Sequence, residues 1–207
     1  MTTRHRIEYL FDFVSPNAYL VWQVLPGLAA RYDAELEVVP CLLGGLFKLT
    51  GNQPPFRAFA GVPAKMAYEH REIERFIAAH AITRFRMNPH FPLNSMLPMR
   101  VLVAAQAMGL GDAVVAAGLS AMWERDQKLD DPAVVHAMLA DAGLDADALI
   151  AAAADDAVKA NLTANTEAAA ARGAFGIPTV FVDDEIYFGK ERLPQIEAQL
   201  SMPLAGG

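Results

Sequence analysis

The residues whose types and spacing could do chemistry lie in one run, F-D-F-V-S-P-N-A-Y, from Phe11 to Tyr19. An apolar stretch there meets Ser15 and Pro16, a hydroxyl followed by a proline that suits the first turn of a helix. A side chain at such a place sits among unpaired backbone N–H groups at the positive end of the helix, a setting that favours an anion. Taken alone, an ordinary N-cap serine beside a proline reads the same way. Asp12 falls in the sheet beneath this turn, where it could tune the site, relay a proton or be a hydrogen-bonded structural carboxyl. Pro178, in G-I-P-T, is the second candidate, and by spacing alone it is a plain strand-start proline.

Other chemistries lack their residues. There is no G-x-S-x-G elbow and no histidine with a route to Ser15, which argues against a serine hydrolase. His5, His70, His80, His90 and His136 are scattered without metal-ligand spacing, so no metal site is expected. Cys41 is solitary, cannot form an intramolecular disulfide and reads as a core residue of a protein from a reducing compartment. Acid pairs at Asp130-Asp131, Asp155-Asp156 and Asp183-Asp184 fall at expected helix starts or a hairpin turn.

The elements that must position these residues follow from periodicity. The segment from Ile7 to Val14, rich in β-branched and aromatic residues, predicts a strand buried on both faces. Leu20, Val24, Leu25 and Leu28 recur at helical spacing and predict one helix from Pro16 to the Tyr32-Asp33 turn. Glu35 to Leu42 predicts a second strand, parallel to the first in a βαβ unit, with Pro40 near its end. Gly44 to Pro55 carries G-G, T-G-N-Q and P-P and predicts a long functional loop. Residues 62–173 hold no strand pattern. Helices are expected over 63–79, from Asn94 or Ser95 to near Gly109, and over 112–127, 132–142, 145–154 and 156–172. Thr179 to Asp183 and Ile186 to Phe188 predict a hairpin, and a closing helix runs from Glu191 to about Leu200. The result is an α/β chain of 207 residues: βαβ and ββα, about 1–43 plus 174–207, form one sheet, with an all-helical insertion over about 56–173.

Bulk properties narrow the partners. Seventeen Lys and Arg against 24 Asp and Glu give a net charge of -7 with no basic tract, which argues against nucleic acid or an anionic membrane surface. No apolar run reaches membrane length, and the opening M-T-T-R-H-R leads into a strand pattern without an export signal, so a cytoplasmic protein is expected. Phe47, Phe56, Phe59, Met66 and Tyr68 could wall an aromatic pocket, although helix packing is the simpler reading.

This order of elements, with S-P-N-A after the first strand and G-I-P-T before the third, resembles the thioredoxin-like fold with a helical insertion, as in DsbA-like proteins. Ser15 and Ala18 stand where redox members carry the two cysteines of C-P-x-C. Within that superfamily the chain is similar to the 2-hydroxychromene-2-carboxylate isomerases and kappa-class glutathione transferases. The motifs are F-D-F-V-S-P at 11–16, G-N-Q-P-P at 51–55, V-P-A-K at 62–65, N-S-M-L-P-M-R at 94–100, F-G-I-P-T-V-F-V at 175–182 and F-G-K-E-R-L at 188–193.

The resemblance implies glutathione as a cofactor, a small aromatic carboxylate as substrate and a homodimer. It makes Ser15 the catalytic residue, donating to the glutathione thiolate. Pro178 would be cis, with the backbone of Ile177 pairing with the cysteinyl segment. Asn52 would supply a donor and Lys65 a cation, and Lys190 with Glu191 would lie near the γ-glutamyl end. There the family's usual Ser-Asp or Asn-Asp becomes Lys-Glu, and Asn17 replaces an aromatic residue at the mouth of the second-substrate pocket. The implied reaction is thiolate addition to a conjugated carbon, ring opening, bond rotation and elimination that returns glutathione. A kappa-like transferase or peroxidase, or a binding protein that kept the groove and lost the chemistry, are the alternatives. A hydrogen bond to a charged acceptor is worth about 1.5–3 kcal/mol and a helix end about 0.3–1 kcal/mol. At about 1.4 kcal/mol per pKa unit, these would bring a thiol from near 8.5 to about 5.6–7.2.

Overall fold

In the computed structural model, which describes residues 4–204, the sheet is built from both ends of the chain. Its strands are β1 (Arg6–Phe11), β2 (Glu35–Pro40), β3 (Thr179–Val182) and β4 (Glu185–Phe188), in the order β2-β1-β3-β4. β1 pairs parallel with β2 and antiparallel with β3, so Tyr9 lies opposite both Val38 and Val180. β3 and β4 form the expected antiparallel hairpin. A central strand has neighbours on both edges and helices over its faces, which is why Ile7, Tyr9, Leu10 and Phe11 are all buried. β2 is an edge, and Pro40 sits at its last position, where a missing donor costs little.

The helix expected from Pro16 to Tyr32 is two helices, α1 (Pro16–Trp22) and α2 (Leu25–Arg31). Pro26 is the cause: it has no N–H for the carbonyl four residues back, and its ring collides with that carbonyl. α1 is therefore only seven residues long. The expected loop after β2 also differs, because its first half is a helix, α3 (Leu43–Thr50). Gly44 and Gly45 read as turn residues, yet a Cβ on Gly45 would come within 2.9 Å of Thr166 Cγ2, so that glycine admits a neighbouring helix. Gly51 ends α3 in the left-handed region, with φ of 69°, and sets the direction of Asn52.

The remaining helices are α4 (Pro55–Ala58), α5 (Pro63–Ala79), α6 (Met96–Ala107), α7 (Gly111–Trp123), α8 (Pro132–Asp141), α9 (Ala146–Ala152) and α10 (Asp156–Ala171). α6 packs on α7, α9 and α10, and α10 on α3. A 3₁₀ turn (Lys190–Arg192) leads into α11 (Leu193–Leu200), so the closing helix starts later than expected. No helix among the described residues is long and apolar enough to cross a membrane.

Where the sheet meets the helices, the core is aromatic. Phe13 lies edge-on to Phe11 at 4.9 Å, and Trp123 stacks on Phe85 at 5.7 Å. The Trp123 indole N–H donates to the Phe13 carbonyl at 2.8 Å, two residues before Ser15. Gly118 of α7 lies directly against Phe13, and a Cβ there would stand 2.3 Å from ring atom Cε1. Both are buried, so Gly118→Ala should cost about 1–3 kcal/mol through displacement of that ring. A lowered urea midpoint at unchanged m-value would show it, and an unchanged midpoint would refute the close packing.

Candidate active site

Ser15 lies between β1 and α1 and is 3% exposed. It caps α1 as expected: its oxygen accepts from the Ala18 N–H at 3.2 Å. Its own proton goes elsewhere, to the Ile177 carbonyl at 2.9 Å, 162 residues along the chain. The turn and the segment before β3 thus meet at one hydroxyl. The Ile177–Pro178 peptide is cis. The Ile177 N–H is not engaged by another group among the described residues. α1 is only seven residues long, so its macrodipole is small.

Asn52 reaches the same segment from another direction. Its Nδ2 donates to the Phe175 carbonyl at 2.9 Å, so two side-chain donors from distant loops land on Phe175 and Ile177. Pro178 is tied onward, since its carbonyl accepts from the Gly189 N–H at 3.0 Å. Gly189 opens the 3₁₀ turn that carries Lys190 and Glu191, and that turn packs against α1. Ser15, Asn52, Ile177, Pro178 and the Lys190-Glu191 turn are therefore physically joined.

Lys190 is 2% exposed, and its ammonium donates to the Glu191 carboxylate. Glu191 itself is exposed. Lys190 also faces Glu72 of α5, a residue with no distinguishing sequence signal. The Glu72 carboxyl is held below the usual range by Arg75 first, then by Tyr68, with the Lys190 charge adding to the effect. Lys65 is not joined to the group. It lies exposed in the first turn of α5, with its Nζ 3.5 Å from the centre of the Phe59 ring. Phe56 and Tyr68 are exposed rather than packed in the helical core, and α5 contains no buried residue at all. The Asn17 Oδ1 atom is buried without a hydrogen-bond partner.

Beneath the turn, Asp12 is fully buried. Burial pushes its carboxyl up to about 6, against the pull of donors from Leu43, Val14 and Ser95. Ser95, read in sequence as one of two possible caps of α6, holds the N-cap position, but its hydroxyl makes no cap hydrogen bond and donates instead to Asp12 at 2.9 Å. The N-S doublet carried the signal, because Asn94 takes the Met96 N–H and frees Ser95. Cys41 is a core residue as expected. Burial first, then the neighbouring Asp12 charge, pushes its thiol up to about 12.

Residues 6–201 match the DsbA-like thioredoxin domain. The chain belongs to the DsbA-like thioredoxin family. Among its DsbA-like relatives, it is 30% identical over 196 residues to a 2-hydroxychromene-2-carboxylate isomerase of Sphingobium xenophagum, spanning 94% of this chain and 97% of the other. It is 28% identical over 200 residues to glutathione S-transferase kappa 1 of Rattus norvegicus, spanning 90% and 87%. Its DsbA-like fold superposes on a solved 2-hydroxychromene-2-carboxylate isomerase with a TM-score of 0.81, at 24% identity over 94% of both chains.

Proposed function

We propose that this chain is a glutathione-dependent isomerase acting on an aromatic carboxylate of the 2-hydroxychromene-2-carboxylate type. The observation that carries this reading is the Ser15–Ile177 hydrogen bond, which sets a hydroxyl and no cysteine against the segment before Pro178. A thioredoxin-like site so equipped can hold a sulfur that a ligand brings, but it has none of its own to exchange.

The residues present fit glutathione, which carries two carboxylates, an amine and a thiol. The Ile177 N–H offers a backbone donor, Asn52 a side-chain amide and the exposed Glu191 carboxylate an acid for the amine, with the buried Lys190 ammonium held against that carboxylate. The Ser15 hydroxyl can turn from the Ile177 carbonyl towards a thiolate, exchanging a neutral acceptor for a charged one. When bound, glutathione would supply a nucleophilic sulfur that adds to a conjugated carbon and leaves again. Ser15 would keep that sulfur ionised.

A kappa-like transferase or peroxidase is the second reading, favoured by the likeness to the rat enzyme. Counting thiols during conversion of 2-hydroxychromene-2-carboxylate separates the two. Isomerisation without net loss of glutathione is expected; loss of one glutathione per turnover would support the transferase instead. Equal conversion without glutathione would overturn both readings, and no heat of binding at millimolar glutathione would leave a non-catalytic binding protein.

A further inference from the structure

Asp12 follows β1 directly, and its carboxyl group is shared among three separate segments. Oδ1 accepts from the Val14 N–H at 3.1 Å, in the turn that delivers Ser15. Oδ2 accepts from the Leu43 N–H at 2.8 Å and from the Ser95 hydroxyl at 2.9 Å. Leu43 is the first residue of α3, and the N-cap of that helix, Leu42, has no polar side chain to offer. Asp12 does for α3, from 31 residues away, what an ordinary capping residue does locally. α6 is tied by the same oxygen through Ser95.

Each tie leads to the site. From Val14 the chain passes to Ser15, whose hydroxyl meets the Ile177 carbonyl. From Leu43 it passes through α3 and Gly51 to Asn52, whose amide meets the Phe175 carbonyl. The two donors that land on one short segment are thus carried by two arms that share a single buried carboxyl group.

We propose that Asp12 is a positioning residue that sets the spacing between the Ser15 hydroxyl and the Asn52 amide, and so the form in which the 175–177 segment meets glutathione. What Asp12 does for glutathione rests on the function proposed above; what it does for the two donors rests on these hydrogen bonds alone. Of the groups packed around it, Val14, Leu43 and Ser95 contribute neutral donors, and the titratable group that faces it is Cys41, held as the neutral thiol. The folded state holds the Asp12 proton more tightly than the unfolded chain does, with a pKa of about 6 against an ordinary 3.8. This contribution therefore makes stability fall as pH rises from about 4 to about 6 and leaves it level above.

Amide hydrogen exchange on the ligand-free protein, followed by calorimetric titration with glutathione, tests the inference in Asp12→Asn and Ser95→Ala. In Asp12→Asn, amides over 14–18 and 43–52 should exchange at least about tenfold faster while those of α8 and α9 keep wild-type rates. The glutathione Kd should rise about tenfold, or about 1.4 kcal/mol. The pH-dependent component of stability should vanish in that variant. Ser95→Ala should show the same pattern more weakly, with the upper end of the pH window moved above about 6 because a donor that lowers the Asp12 pKa is gone. Ser95→Ala decides the matter if Asp12→Asn does not fold. Uniform or absent acceleration would overturn the positioning role whether or not glutathione binds. Local acceleration in a protein that binds no glutathione would uphold it and overturn the proposed function.

Discussion

Ser15→Ala is expected to lower glutathione-dependent turnover by about 10- to 100-fold, the loss that follows from deleting one hydrogen bond to a charged acceptor. The hydroxyl has two structural duties as well, capping α1 and satisfying the Ile177 carbonyl, so stability should also fall by about 1–3 kcal/mol. The two effects separate experimentally. Turnover is measured well below the variant's melting transition, and the pKa of bound glutathione is read from the ultraviolet absorbance of its thiolate. If Ser15 holds the sulfur, that pKa moves back towards about 8.5, the value of a free thiol. Turnover within twofold of wild type, at an unchanged thiol pKa, would remove Ser15 from the chemistry and leave it a cap.

Trp123→Ala carries the largest expected cost in stability. The side chain is fully buried, and large-to-small changes of this kind cost about 3–5 kcal/mol. The variant also strands the Phe13 carbonyl, which loses its indole donor. Against a total of about 5–15 kcal/mol, this brings the protein close to unfolding. Trp123→Phe is the informative partner because it keeps an aromatic ring against Phe85 while removing the N–H and the volume of the second ring. A cost of about 2–3 kcal/mol, below that of Trp123→Ala, is expected there. Denaturant titration checks both. If Trp123→Phe were neutral, the Phe13 carbonyl would have found another donor and the Trp123 bond would not anchor the turn.

The strands were legible because a buried central strand reads as a continuous apolar run and the hairpin as two short ones around an acidic turn. The helix boundaries were harder, for identifiable reasons. Pro26 splits the first helix although the apolar spacing runs straight through it. α3 hides behind Gly44-Gly45 because local sequence does not distinguish a glycine that bends the chain from one that makes room for Thr166. In the site, Ser15 stood out by its place at a strand-to-helix turn. Its partner Ile177 could be named only through the family resemblance, since nothing local links residues so far apart. Asp12 was visible as a buried acid, but its ties to Leu43 and Ser95 were not, because one partner is a backbone N–H and the other looked like a helix cap. Lys65 is the opposite case: its motif carried it into the expected group, whereas the contact it makes is with the Phe59 ring.

The burial of Cys41 also bears on how this protein would meet oxidative stress. A thiol reacts with peroxides and disulfides as its thiolate, and at a pKa of about 12 almost none is present near neutrality. The single sulfhydryl is therefore shielded from sulfenic acid formation and from mixed disulfides with oxidised glutathione. If the proposed glutathione dependence holds, an oxidising cell would remove the reduced tripeptide while leaving Cys41 unmodified, and activity should return with reductant without repair at that residue.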